Sequence, residues 1–399
     1  MRHPDTIDPA APATGEPQTS RRALLRGLGL AGVGAAALAA GCTKGSSEAV
    51  AAPAPAPAAP AVDKSLAIMG ANESPFGPSK QAVAAMVEKA ALTARYADGE
   101  GEELKKQIAA MEGVAPEQVF LSNGSGPILA AFGEMIAQKG KGQLVTSIAT
   151  YEGVPRTVAA YGAEVIFTPL TRDMTVDLDA MAAKVSKKTT ATYVCNPNNP
   201  TGNMVDPVKL KAFAIEASKT GPCFIDEAYL HLCDDYDGNV MTSLVREGHN
   251  VVICRTFSKI YGMAGQRLGF GIASPDLARQ LGMITRGGGI NHAGIVAASA
   301  SLADKDFVPA MRPKFKAGRE RLYNVVKSLN RPIASNPQAS FVFFDVGMPN
   351  KDFAAKMMAE GVRVVGRSWP EYDTWTRICV GDDWEMDRCE AALKKVLAA

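Results

Sequence analysis

Between about Gly99 and Thr256 the chain repeats one pattern, a short apolar run that stops at a small or polar turn and is followed by a stretch of helical periodicity. Gln118–Leu121, Gln143–Ile148, Glu164–Phe167, Ala191–Cys195, Cys223–Ile225 and Val251–Cys254 read as strands, separated by helical stretches at 102–111, 127–137, 178–185 and 208–219. Continuous Val/Ile/Phe-rich runs alternating with helices predict a mostly parallel sheet covered on both faces, an α/β architecture. In such sheets ligands bind beyond the carboxyl ends of the strands. After about Asn291 the pattern becomes a long helical region, 295–329, then strands at 341–344 and 376–380 and helices at 352–360 and from Trp384, a smaller α+β unit. The reading divides the body into 63–95, a segment joining the small domain, 96–290, the large domain, and 291–399, the small one.

The first sixty residues are of another kind. Ser20-Arg21-Arg22 followed by the apolar run Gly27–Ala40 reads as a twin-arginine export signal over residues 1–42. The run is shorter than the roughly 20 apolar residues a spanning helix needs. Leu38-Ala39-Ala40-Gly41-Cys42 resembles a lipoprotein cleavage box, which makes Cys42 a candidate lipid anchor; an ordinary cut nearby is the alternative. Residues 43–62 are an Ala/Pro-rich linker that cannot pack a core. The expected location is periplasmic, with or without a membrane anchor. Of the six further cysteines, Cys195, Cys223, Cys254 and Cys379 lie in strand-like runs and read as buried thiols, while Cys233 and Cys389 are left open.

A net charge of +2 gives no electrostatic reason to expect nucleic acid. His3, His231, His249 and His292 lack metal-ligand spacing, and no metal site is expected.

The chemistry-bearing motifs follow strand ends. They are Asn123-Gly124-Ser125-Gly126, Asn196-Pro197-Asn198-Asn199-Pro200-Thr201-Gly202, Asp226-Glu227-Ala228-Tyr229, and Thr256-Phe257-Ser258-Lys259 with Arg267 downstream. Small residues at 124–126, opening a helix, let backbone N–H groups approach an anion, although a plain tight turn reads the same way.

Taken together, and in this order, the motifs resemble the class I/II aminotransferases of the aspartate-aminotransferase fold (fold-type-I pyridoxal-phosphate enzymes), and histidinol-phosphate aminotransferases most closely. The resemblance runs from about Met69 to the end. It implies pyridoxal 5'-phosphate held as a Schiff base on Lys259, Asp226 pairing with the ring nitrogen, and Tyr229 and Asn199 on the ring hydroxyl. It implies Tyr151 stacked on the ring, and Gly124, Ser125, Gly126, Thr256, Ser258 and Arg267 on the phosphate. Tyr96 resembles the tyrosine that reaches a neighbouring subunit's phosphate, which implies a homodimer. Arg377 takes the place of the carboxylate-binding arginine, and Asn72 belongs to a segment that closes over substrate. Lys259, Asp226 and Tyr229 form the catalytic set.

The expected activity is transfer of an amino group between an amino acid and a 2-oxo acid. A β-lyase or decarboxylase on the same cofactor shell is the alternative; a non-catalytic binding lipoprotein is a third. The twin-arginine route carries folded proteins, which suits a cofactor loaded before export. Two departures from the histidinol-phosphate pattern, Arg367 two places later than the family's second arginine and Ser340 in place of Asn, point to a general amino acid substrate with an aromatic or bulky side chain. Phe76, Tyr372 and Trp375 read either as the wall of its pocket or as core.

Overall fold

The computed structural model describes residues 63–138, 142–285 and 289–398. The expected signal (1–42), Cys42 and the linker (43–62) lie outside the described residues. Ala61–Ala399 is one compact unit.

Eleven strands are described: β1 Ala67–Ile68, β2 Val119–Ser122, β3 Gln143–Ser147, β4 Glu164–Thr168, β5 Ala191–Cys195, β6 Cys223–Asp226, β7 Val251–Thr256, β8 Gly269–Ile272, β9 Phe341–Asp345, β10 Val362–Arg363 and β11 Trp375–Cys379. Seven of them form the central sheet in the order β2-β8-β7-β6-β5-β3-β4. Every pairing in it is parallel except those of β8, which runs antiparallel to both neighbours. Strands β3, β5, β6 and β7 are buried along their whole length, as strands covered on both faces must be.

Six of the expected strands of the large sheet appear within a residue or two of their predicted ends, and β8 is the one not foreseen. In its sequence, Gly269-Phe270-Gly271-Ile272, the glycines are where neighbours press closest. A Cβ on Gly271 would stand 2.3 Å from the Phe120 ring, and one on Gly269 would stand 2.7 Å from the backbone of Gly124 and Ser125. The helical region expected at 295–329 is two helices, His292–Ala303 and Phe307–Ser328, broken at Asp304.

A second, two-stranded antiparallel sheet pairs β9 with β11, and β1 pairs with β10 in parallel. The β1 pairing ties Ala67–Ile68 to Val362–Arg363. Across the expected boundary at 290/291, Gln107 donates to Ser299 O at 3.0 Å, joining helix Asp98–Glu112 to helix His292–Ala303.

Candidate functional site

Because β8 reverses direction, its start lies at the same sheet edge as the ends of β2, β3, β5, β6 and β7. Gly124, Tyr151, Asn199, Asp226, Lys259 and Arg267 are therefore delivered to one edge by the ends of five strands, with Lys259 and Arg267 both in the β7–β8 connection, although 143 positions separate the first from the last.

One end of this edge is built for an anion. Gly124 adopts φ +90° and caps helix Ser125–Ala137 with no side-chain bond, so the first N–H groups of that helix get no acceptor from their cap residue. Any side chain at 124 would collide with Arg267, whose Nη2 would be 2.4 Å from its Cβ. Arg267, itself at φ +54°, donates Nη1 to Ala264 O at 2.8 Å, which aims the guanidinium across the turn. Thr256 donates its hydroxyl to Ser258 Oγ at 2.9 Å, and both side chains are buried beside this turn. Helix N–H groups, two hydroxyls and a guanidinium around a space kept open by glycine make a phosphate cradle.

Asp226, at the end of β6, is 2% exposed. Its Oδ1 accepts from Ala228 N–H at 3.1 Å and its Oδ2 from the Tyr193 hydroxyl at 3.1 Å. Burial still pushes its carboxyl up to about 6, against the pull of those two donors and of Lys259. A carboxylate in this position is stabilised by a cationic partner, which a protonated pyridine nitrogen provides. Tyr151 is half-buried after β3, and its phenol is pushed up by burial and by the charge of Asp226.

The other end of the site centres on Lys259. Its Nζ donates to Asn72 O at 3.0 Å and lies 5.3 Å from the centroid of the Tyr229 ring. Burial, then the nearby Arg377 charge, hold the amine down to about 8. Asn72, at φ +56°, uses every polar group it has. Its Nδ2 donates to Tyr229 Oη at 2.8 Å, its N–H to Cys379 Sγ, and its Oδ1 accepts from the Cys379 thiol. Asn199 Nδ2 also reaches Tyr229 Oη, at 3.4 Å, and Asn199 Oδ1 accepts from Arg377 Nη1 at 2.6 Å. Arg377 Nη2 donates to Gly70 O at 2.8 Å, while its buried Nε has no acceptor among the described residues. A guanidinium fixed on two nitrogens with the third free suits a carboxylate.

The structure thus brings together all the residues expected at the site except Tyr96, which is 84% exposed on the surface. Sequence reasoning missed Cys379 as a support of Asn72 and Tyr193 as a partner of Asp226. Alternation along β11 was the available signal for the first, since position 379 shares a face with 377. All six cysteines of the body are buried and unbridged, Cys233 and Cys389 included. Phe76 does not join Tyr372 and Trp375; it packs edge-on to Phe315, 5.1 Å between centroids. Tyr372 and Trp375 instead pack on each other and on Phe343.

Residues 65–393 match the family model "Aminotransferase class I and II". The chain is 33% identical over 332 residues to histidinol-phosphate aminotransferase of Moorella thermoacetica, covering 83% of this chain and 85% of that one. It is 32% identical over 329 residues to the enzyme of the same name from Brevibacillus brevis, covering 82% and 90%. Among solved structures it resembles histidinol-phosphate aminotransferase from Sinorhizobium meliloti in complex with pyridoxal-5'-phosphate, at TM-score 0.76 and 28% identity over 84% of this chain and 91% of that one. Aspartate aminotransferase from Thermus thermophilus, at 18% identity and TM-score 0.74 over 83% and 92%, shares the fold. The phosphate cradle, the cation-seeking Asp226 and the poised Lys259 fit the pyridoxal-5'-phosphate of the Sinorhizobium meliloti complex, and the chain belongs to the class I and II aminotransferases, as a pyridoxal-phosphate-dependent enzyme that moves an amino group between an amino acid and a 2-oxo acid.

Proposed function

We propose that this chain performs transamination with Lys259 as the group that moves the proton, Asp226 as the partner of the ring nitrogen and Arg377 as the ligand of the substrate carboxylate. The observation that carries the reading is Arg377, locked by Asn199 and Gly70 with a buried Nε to spare, on the same network as Lys259. Bound pyridoxal phosphate supplies an aldehyde that captures amines and a ring that accepts the electrons released when the α-proton leaves. The chain's own residues do the rest. Gly124, Ser125, Gly126, Thr256, Ser258 and Arg267 would grip the phosphate, and Tyr151 would cover the ring. Tyr229, oriented by Asn72 and Asn199, presents its hydroxyl beside Lys259. A lysine amine held down to about 8 is close to the working pH range of a general base, which would let Lys259 move the proton between the substrate α-carbon and the cofactor carbon across the shared nitrogen. Asn72 and Gly70 place the N-terminal segment over Lys259 and Arg377, which keeps water from the exchange.

The test is a two-stage exchange. Adding an amino acid to purified holoenzyme should discharge the absorbance of the bound cofactor, and a 2-oxo acid should restore it. Turnover that needs no 2-oxo acid would instead favour the lyase or decarboxylase reading. Lys259→Ala should remove both stages.

The functional unit is a homodimer in which exposed Tyr96 reaches the partner's phosphate, as in the family at large. Export by the twin-arginine route, with Cys42 as a lipid anchor, completes the proposal. Arg21→Lys with Arg22→Lys should keep the protein out of the periplasmic fraction, and Cys42→Ala should release it from membranes.

A further inference from the structure

The roles assigned so far leave the side-chain end of the substrate undefined. In the β9–β11 ribbon Arg377 stands opposite Phe343, and Trp375 lies two residues away on the same face. Trp369 closes this face, with its ring 5.2 Å from that of Phe343 and 6.0 Å from the Arg377 guanidinium. Beyond Arg377 the wall is therefore aromatic, and it continues into Tyr372.

At the outer end of this wall stands a second guanidinium. Arg367 lies 5.2 Å from the Trp369 ring, so one indole neighbours both arginines. Arg367 is already engaged: its Nη1 donates to Glu152 Oε1 at 2.5 Å, across 215 positions of sequence. Glu152 follows Tyr151 directly, and the Tyr151 phenol feels the charges of both Asp226 and Arg367, which sets the pair at the rim of the site. Arg156 is 3.8 Å from the same Glu152 oxygen but is 80% exposed, so solvent screens most of its charge.

We infer that the Glu152–Arg367 pair is a specificity-determining element, which reserves the pocket for uncharged aromatic or bulky side chains and discriminates against a second anionic group. The inference rests on the reading of Arg377 as carboxylate ligand. A distal carboxylate or phosphate drawn to Arg367 would have to share that cation with Glu152, and two anions within about 4–6 Å of one another disfavour each other's charged forms. An aromatic side chain meets no such competitor. It gains contact with Trp375, which is half-buried on this face and packs on Phe343.

The experiment compares kcat/KM for L-phenylalanine and L-aspartate in the holoenzyme, in Glu152→Gln and in Glu152→Gln/Arg367→Gln. The wild type should prefer phenylalanine. Glu152→Gln should raise the aspartate value by about tenfold relative to phenylalanine, or about 1.4 kcal/mol. Adding Arg367→Gln should erase that gain. Equal use of the two donors by the wild type, or an unchanged ratio in Glu152→Gln, overturns the inference while the transaminase reading stands. Failure of every amino acid to discharge the cofactor overturns both.

Discussion

Two arginines in this chain pair with glutamates brought from distant sequence, and they are opposites. Arg255, on β7, is 0% exposed. Its Nε donates to Glu227 at 2.7 Å, its Nη1 to Glu112 and to the Tyr236 hydroxyl, and its Nη2 to Thr242 at 3.1 Å. Arg367 has 36% of its side chain exposed and donates to Glu152. Burial works against the charge of Arg255, yet Glu227 and Glu112 outweigh it and raise its pKa. Glu227 adjoins Asp226, and Arg255 adjoins Thr256, so the buried cluster fixes the strand ends that carry the cofactor-facing residues. The exposed pair lies on no strand, and Glu152 directly follows Tyr151. The same chemistry thus acts as framework in one place and as filter in the other, and burial decides which.

The largest expected effect is at the framework. Arg255→Met should cost about 3–5 kcal/mol, because it strands two buried carboxylates. The shift of the urea midpoint measures it, and adding Glu112→Gln and Glu227→Gln should recover much of the loss. A single variant that unfolds like the wild type would erase the contrast between the two arginines. Next comes the fixed cation of the site. Arg377→Gln should lower kcat/KM by about a hundredfold or more while leaving cofactor binding in place, as expected when one partner of a buried charge pair is truncated. Loss of cofactor instead would move Arg377 from substrate ligand to framework.

A third effect concerns protons. The Lys259 amine is lowered from 10.5 to about 8, so the neutral form needed to capture the cofactor aldehyde fills in as pH rises through about 8. The rate at which cofactor-free protein takes up pyridoxal phosphate should climb up to that pH and then level off. In Arg377→Gln the midpoint should move upward, since a neighbouring positive charge has been removed. A wild-type midpoint near 10.5 would mean that Lys259 is not desolvated. The smallest effect is on the stability of the filter: Arg367→Gln should change it by no more than about 1 kcal/mol, the usual worth of an exposed pair.

How much of this was legible in the sequence follows the range of the interactions. Strands β3, β5, β6 and β7 were readable because burial on both faces writes an unbroken apolar run, and the catalytic motifs were readable because each sits where such a run stops. Strand β8 was not, because close packing had replaced its alternate side chains with glycine. The break at Asp304 was hidden by strong helical periodicity on either side. Cys379 read as an inert core thiol, since its partnership with Asn72 depends on a left-handed backbone at a residue 307 positions away. The Arg255 and Arg367 pairs span 143 and 215 positions, and nothing local announces them.

The β9–β11 ribbon has a consequence for anyone wishing to redesign the enzyme. Positions 375, 377 and 379 share one face of β11, while Thr376 and Ile378 between them are wholly buried on the opposite side. A randomised library at the half-buried position 375 would sample new donors at modest risk to folding, whereas the same diversity at the buried positions 343, 369, 376 and 378 would be spent on the interior. Inserting or deleting a single residue in this ribbon would exchange the two sets at one stroke.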